Sequence, residues 1–336
     1  MLPNRDGRPN TSTGDATYIN FQALVLVTWG VGSPRLQLAI STRTFGARPD
    51  PGLVIDGLLR LEAPAVAVHA GLPRGLLAVL VEALGRERTR LPVLAVSNYA
   101  PAPEMARNAS AVDALSLCSP DRDERAHAIA AAAETLRVAA DLGAPVVVLA
   151  LGEATATDWP ALARRLLRGD PLPERLLSER RQASERVLDG ARFALDRLLE
   201  QAADLGVTLA LPNRARFYQA PSTLELAALR ADFAGAPLRP WLDAGAGHTA
   251  WAAGGFEPGE WLDLHGPAAA GVSVADACGP LRGLPPGLGE LGYRALAKRL
   301  AQDRELIAVM NTNDGFTDDE LRAGMAQVRA LAGAGT

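Results

Sequence analysis

The segment Gly206-Val-Thr-Leu-Ala-Leu-Pro-Asn-Arg214 contains one full turn of a repeating architecture. Before it, Pro173–Leu205 carries many Arg/Glu pairs and reads as a long helix that stops at Gly206, the residue type favoured just past a helix end. After the glycine, Val207–Leu211 is an apolar run of strand length, closed by the polar turn Pro212-Asn-Arg214. Upstream the pattern repeats. A helix opens at Ser119-Pro-Asp-Arg-Asp-Glu124, with Ser119 as N-cap, Pro120 in the first turn and acids near the positive dipole end. It runs to Leu142, stops at Gly143 and is followed by the apolar run Val146–Leu151.

The same alternation extends in both directions. Further apolar runs stand at Leu36–Ile40, Ala65–Val68, Val93–Val96, Pro240–Leu242, Val272–Val274 and Leu306–Val309, each followed by a helix-like stretch. Eight β/α units predict a single (β/α)8 TIM barrel of the α/β class over residues 35–336. The longest intervals surround the fourth run, where Trp159–Arg168 reads as a short additional helix. Residues 1–34 do not fit the repeat and form an N-terminal extension. Met1–Thr17 is polar and rich in Asn, Gly, Pro and Thr, which predicts disorder. Tyr18–Gly32 is left as an added strand or a plug for the barrel bottom.

The chain has 336 residues, 48% hydrophobic and 21% charged, enough apolar material for one large core. A net charge of −4 gives no basic footprint for nucleic acid or for an acidic membrane surface. The apolar run Ala23–Gly32 is too short to span a bilayer. Cys118 and Cys278 lie far apart without metal-ligand spacing, and a cytoplasmic location is the expectation. Lys298, the only lysine, falls in the helical stretch Tyr293–Ala301 rather than at a strand end, so Schiff-base chemistry is not expected.

In such a barrel the chemistry sits where strands end. The candidates there are Arg43, His69, Asn98, Glu153, Asn213 with Arg214, Asp243, Asp276 and Asn311. Arg43 offers a fixed bidentate donor for an anion or carbonyl. Asp243, Glu153 and His69 are the candidate acid–base groups. His69 is otherwise a hydrogen-bonded pocket residue, and Glu153 a loop carboxylate. Cys118 precedes a helix N-terminus, where a thiolate is favoured, but no base accompanies it. His127 and His265 fall within helical stretches and read as structural or exposed.

Taken in order, Leu36-Gln-Leu-Ala-Ile-Ser-Thr-Arg-Thr-Phe45, Ala139-Ala-Asp-Leu-Gly143, Ala203–Arg214, Trp241-Leu-Asp243 and Leu284-Pro-Pro-Gly-Leu-Gly-Glu290 resemble the xylose-isomerase-like TIM barrels of sugar-phosphate isomerases and epimerases. The resemblance spans roughly Leu36 to Ala332. It implies one divalent cation, held by Glu on strand five, Asp-x-x-His on strand six, His on strand seven and Glu on strand eight. Such a cation polarises a carbonyl and stabilises an enediolate.

The corresponding positions here are Pro212, Asp243 followed by Ala246, Ser273, and Asn311 or Met310. One strong ligand remains, so the expectation is no metal and no other cofactor. His248, beyond the glycine-rich Gly245-Ala-Gly247, is a candidate substitute ligand or a loop or helix-start residue. Two functional readings stand side by side. One is a diverged isomerase/epimerase-like protein that binds a small polar or phosphorylated molecule and does metal-independent acid–base work if active. The other is a catalytically inactive pseudoenzyme acting as a scaffold or regulatory protein partner. A mouth plugged by Pro212, Trp241 and Met310 favours the scaffold, and an open polar mouth favours ligand binding.

Overall fold

The computed structural model describes residues 35–333 except 105–110, 156, 167–169, 253–257, 280 and 293–304. The N-terminal extension (1–34) and the helix expected at Tyr293–Ala301 lie outside the described residues. Along the chain the strands are β1 (Arg35–Ser41), β2 (Val66–Val68), β3 (Val93–Ser97), β4 (Val146–Val148), β5 (Gly152–Glu153), β6 (Thr208–Pro212), β7 (Gln219–Ala220), β8 (Leu238–Asp243), β9 (Gly271–Ser273), β10 (Asp276–Cys278), β11 (Leu281–Leu284) and β12 (Glu305–Met310). Eight of them close into a parallel barrel, in the order β1-β2-β3-β4-β6-β8-β9-β12 and back to β1. All eight apolar runs of the sequence are barrel strands. The other four form two small antiparallel pairs, β5 with β7 and β10 with β11, which the sequence did not announce.

The helices are α1 (Pro51–Arg60), α2 (Arg74–Arg86), α3 (Arg122–Leu142), α4 (Trp159–Leu166), α5 (Glu174–Gln182), α6 (Ser184–Asp204), α7 (Thr223–Asp232), α8 (Ala244–Ala252), α9 (Pro258–His265) and α10 (Asp318–Gly333). Among the described residues no helix is long and apolar enough to cross a membrane.

Period-two alternation explains the layers. In β1, Leu38 and Ile40 face the helices, whereas Ala39 faces the lumen. In β6, Leu209 and Leu211 point outward and Ala210 inward; in β12, Leu306, Ala308 and Met310 point outward, and Ile307 and Val309 inward. The lumen is therefore floored mostly by small side chains (Ala39, Ala65, Ala67, Ala95, Ala210), and one large ring, Trp241, fills it. Gly271 on the neighbouring strand is a steric requirement, because a Cβ there would stand 2.3 Å from the Trp241 ring.

Two local expectations change. The N-cap of α3 is Asp121, whose carboxylate accepts from the N–H groups of Asp123 and Glu124 at 2.8 and 3.0 Å. Ser119 lies too early in the chain for that role, and its hydroxyl donates to Glu124 Oε2 at 2.6 Å. The left-handed C-cap at Gly143 is as expected. The helix expected over Pro173–Leu205 divides at Ala183 into α5 and α6. The two parts answer to different neighbours. Arg180 of α5 is buried and makes a bidentate pair with Glu225 of α7, both bonds at 2.6 Å, while α6 turns its apolar face to the barrel core.

Candidate functional site

A cavity of about 940 Å³ opens at the C-terminal end of the strands. Trp241 forms part of its floor. The indole is 1% exposed, and its Nε1 donates to Ser273 Oγ at 3.0 Å. Pro212 and Ala246 also line it. Met310 does not, since it is buried in the outer core. Asn311 takes the lumen-facing position at the end of β12, which fixes the strand register left open by the sequence.

Of the expected residues, Arg43, His69, Asn98, Asn213, Arg214, Asp243 and Asn311 line this cavity. Arg43 sits in the one-turn helix Thr42–Phe45 after β1. Its backbone N–H donates to Ser41 Oγ, and its Nη2 donates to Asn313 Oδ1 at 2.6 Å. Burial and the nearby Arg282 lower the proton affinity of Arg43, an effect that Asp243 and Asp314 oppose.

His69 follows β2, with its backbone N–H donating to Thr42 Oγ1 at 3.0 Å. Its ring makes no hydrogen bond to protein among the described residues. Burial first, then Arg43 and Arg282, push its pKa down to about 3, so the imidazole is neutral at ordinary pH.

Asp243 ends β8 and caps α8, with Oδ1 accepting from Ala246 N at 2.8 Å. Its other carboxylate oxygen has no protein partner among the described residues. The Asn311 Oδ1 is buried and unpartnered as well.

Two asparagines expected to bind ligand are engaged by backbone. Asn98 donates to Ala150 O at 3.1 Å and accepts from Ala150 N at 2.9 Å. Asn213 donates to Asp243 O at 3.0 Å and accepts from Asp243 N at 2.6 Å. Arg214 pairs with Asp113, and both side chains are about one-tenth exposed (10% and 11%). Asp113 also accepts from Gln219 Nε2 at 2.8 Å. The Arg214 charge is thereby committed to the cavity wall.

Glu153 and Asp276 are not among the lining residues. Glu153 lies in the β5–β7 pair, where burial and Asp113 raise its pKa against the opposing effect of Arg216 and Arg214. Asp276 is 1% exposed and accepts from the N–H groups of Ala277, Gly287 and Leu291 at 2.8, 2.9 and 3.0 Å. It organises the Leu284–Glu290 loop. His248 lies in α8, 3.6 Å from Glu290, and does not line the cavity. His265 is fully buried between Arg230 and Thr223 O, and His127 is exposed on α3. Burial raises the Cys118 pKa, which makes it a packed thiol rather than a nucleophile.

Sequence reading missed Arg282, Arg48 and Asp113, and it placed Asn313 and Asp314 at the end of the eighth strand without singling them out; all five line the cavity. The signal for Arg282 was its place two residues before Leu284-Pro-Pro, in a hairpin too short to recognise. Of the positions that correspond to the family's cation ligands only Asp243 carries a strong ligand, and Ser273 Oγ already accepts the indole N–H. Among the described residues no group of three His, Cys, Asp or Glu side chains is placed to hold a metal.

The family model for the xylose isomerase-like TIM barrel matches residues 69–330. A comparison with curated protein sequences returns no match. Among solved structures, a D-tagatose 3-epimerase-like protein is similar at 16% identity and a TM-score of 0.65, over 89% of this chain and 98% of that one. The 3-keto-D-glucoside 4-epimerase of E. coli is similar at 14% identity and a TM-score of 0.62, over 88% of this chain and 100% of that one. A Thermus thermophilus protein soaked with zinc chloride is similar at 25% identity and a TM-score of 0.55, over 90% of this chain and 99% of that one.

Proposed function

The chain belongs to the xylose isomerase-like TIM-barrel family, and from that premise we propose a diverged isomerase/epimerase-like protein that binds a small polar or phosphorylated molecule at the barrel mouth. The carrying observation is the cavity itself. Trp241 fills the lumen but stops at the floor, and about 940 Å³ lined by charged and amide side chains stays open above it. The family's cation-binding positions carry a proline, an alanine, a serine and an amide, so the polarising role passes to fixed donors such as Arg43. Among the described residues Asp243 has one oxygen without a protein partner, able to accept from a hydroxyl or take a proton, and His69 is a neutral ring that faces the same space. Any turnover is then acid–base work without a cation.

One observation favours the rival reading of a catalytically inactive scaffold. Asp243, the retained carboxylate, also serves as the α8 cap, and Glu153 stands away from the cavity. A thermal-shift screen of sugars, sugar acids and sugar phosphates separates the two, repeated with Arg43→Ala and Asp243→Ala. Hits abolished by both substitutions support ligand binding at the mouth. Hits that survive both place the binding site elsewhere, and no hit from the panel favours the scaffold.

A further inference from the structure

We propose that Arg43, Arg282 and the ring of His69 form a subsite for a doubly charged tetrahedral anion, a phosphate monoester group of the molecule bound at the mouth. The proposal rests on the ligand-binding reading above and adds the group recognised.

The two arginines come from different elements and are brought together by a built contact. Arg43 follows β1, and Arg282 lies in β11, a hairpin strand outside the barrel. Asn313, just past β12, joins them. Its Oδ1 accepts from Arg43 Nη2 at 2.6 Å, its Nδ2 donates to Arg282 O at 2.9 Å, and its backbone N–H donates to Gly283 O at 2.8 Å. Gly283 has φ +85°, and a Cβ there would stand 2.6 Å from the Asn313 amide. The close approach therefore needs glycine at this position.

The result places like charges together in a concave site. Among the described residues no carboxylate lies in ion-pair contact with Arg43 or Arg282. Asp243 and Asp314 act on Arg43 only at longer range. Unneutralised guanidinium groups at a cavity wall are costly to the fold and favourable to an anion. A monocarboxylate would balance one of the two charges, whereas a phosphate dianion balances both and accepts from both forks. The remaining charged groups lining the cavity are Arg48, Arg216 and the Asp113–Arg214 pair.

His69 supplies a consequence that can be measured. Burial first, and then both arginines, disfavour the imidazolium of its ring. An anion seated between the arginines offsets the part of that effect due to them, so binding raises the proton affinity of His69 and increases proton uptake. The imidazolium then becomes a third donor to the anion.

The test titrates inorganic phosphate and sulfate into the full chain, with acetate and chloride at matched ionic strength as controls, followed by thermal shift and calorimetry. Phosphate and sulfate should raise the melting temperature and acetate should not. Sulfate does not titrate near neutrality, so calorimetry at about pH 5.5 in two buffers of different ionisation enthalpy reads proton uptake by the protein. Arg43→Gln and Arg282→Gln should each weaken binding by about tenfold or more, with the lysine variants intermediate. His69→Gln should remove the proton uptake, and the surface variant Arg86→Gln should change nothing. Wild-type protein indifferent to phosphate, binding unaltered in Arg282→Gln, or uptake unaltered in His69→Gln overturns the subsite. An unphosphorylated sugar that binds at the mouth of a phosphate-indifferent protein overturns the subsite alone and leaves the ligand-binding reading standing.

Discussion

The side-chain amide of Asn213 pairs with both backbone groups of Asp243, accepting from its N–H at 2.6 Å and donating to its carbonyl at 3.0 Å. Asn98 does the same with Ala150. Each amide adds a rung to a parallel ladder just where the strand gives way to loop, and satisfies backbone groups that would otherwise be buried unpaired. The geometry of Asp243 is therefore set by Asn213. Replacing Asn213 with Leu should remove both bonds at nearly constant volume and destabilise the fold by about 2 kcal/mol. It should also weaken any ligand that depends on Asp243. Denaturant unfolding and ligand titration on the same variant check both expectations; unchanged stability would show that the amide is dispensable.

Metal content is the second prediction. Protein purified without chelator should hold well under one equivalent of Mn, Fe, Co or Zn by elemental analysis, because among the described residues Asp243 belongs to no group of three His, Cys, Asp or Glu side chains placed to hold a metal. Restoring one ligand by Ser273→His should not rescue binding, since the Trp241 indole N–H occupies that side of the lumen. A stoichiometric metal lost in Asp243→Ala would show that ligands outside this set hold it.

His69 carries a pH dependence with a defined sign. Its pKa falls from 6.5 to about 3 on folding, so between those values the unfolded chain binds the extra proton. The contribution is absent above pH 6.5 and grows as a penalty as the pH falls toward 3. At pH 5 it amounts to at most about 2 kcal/mol. His69→Gln should match the wild type in stability at pH 8 and exceed it at pH 5 in the absence of anions. Parallel pH–stability curves for the two proteins would place the ring in a more solvated setting.

The strands were legible because their signal is local. Apolar runs bounded by glycine caps, such as Gly143 before Val146 and Gly206 before Val207, need no knowledge of partners. The β5–β7 and β10–β11 pairs were not legible, because two to four residues carry no periodicity and their pairing is decided by the barrel beneath. Arg282 was missed with its hairpin. Asn98 and Asn213 show the opposite limit. Residue type and strand-end position made them donors for a ligand, but the sequence does not tell an amide spent on a neighbouring backbone from one left free. Asn311, whose buried oxygen has no partner among the described residues, is the contrasting case.

Residues 1–17 carry almost no apolar pattern, so ordering them would cost conformational entropy that little burial could repay. Deleting them should leave the melting temperature nearly unchanged. A loss of many degrees would show that this segment packs on the barrel.

The contact between Trp241 and Gly271 gives the most demanding test of the lumen. The indole is buried among alanines, so Trp241→Ala should leave a void that the small neighbours cannot fill and cost about 3–5 kcal/mol. Gly271→Ala should destabilise by overpacking, because the new methyl meets both the ring at 2.3 Å and Ile307 O at 2.7 Å. The two sites share one volume, so their effects cannot add. In a double-mutant cycle with Trp241→Leu, the Gly271→Ala penalty should shrink once the ring is gone, giving a coupling of about 1 kcal/mol or more. The Ile307 carbonyl contact persists in that background and keeps the penalty from vanishing. Additivity within error would mean that the ring does not sit over Gly271, and the floor of the cavity would have to be redrawn without it.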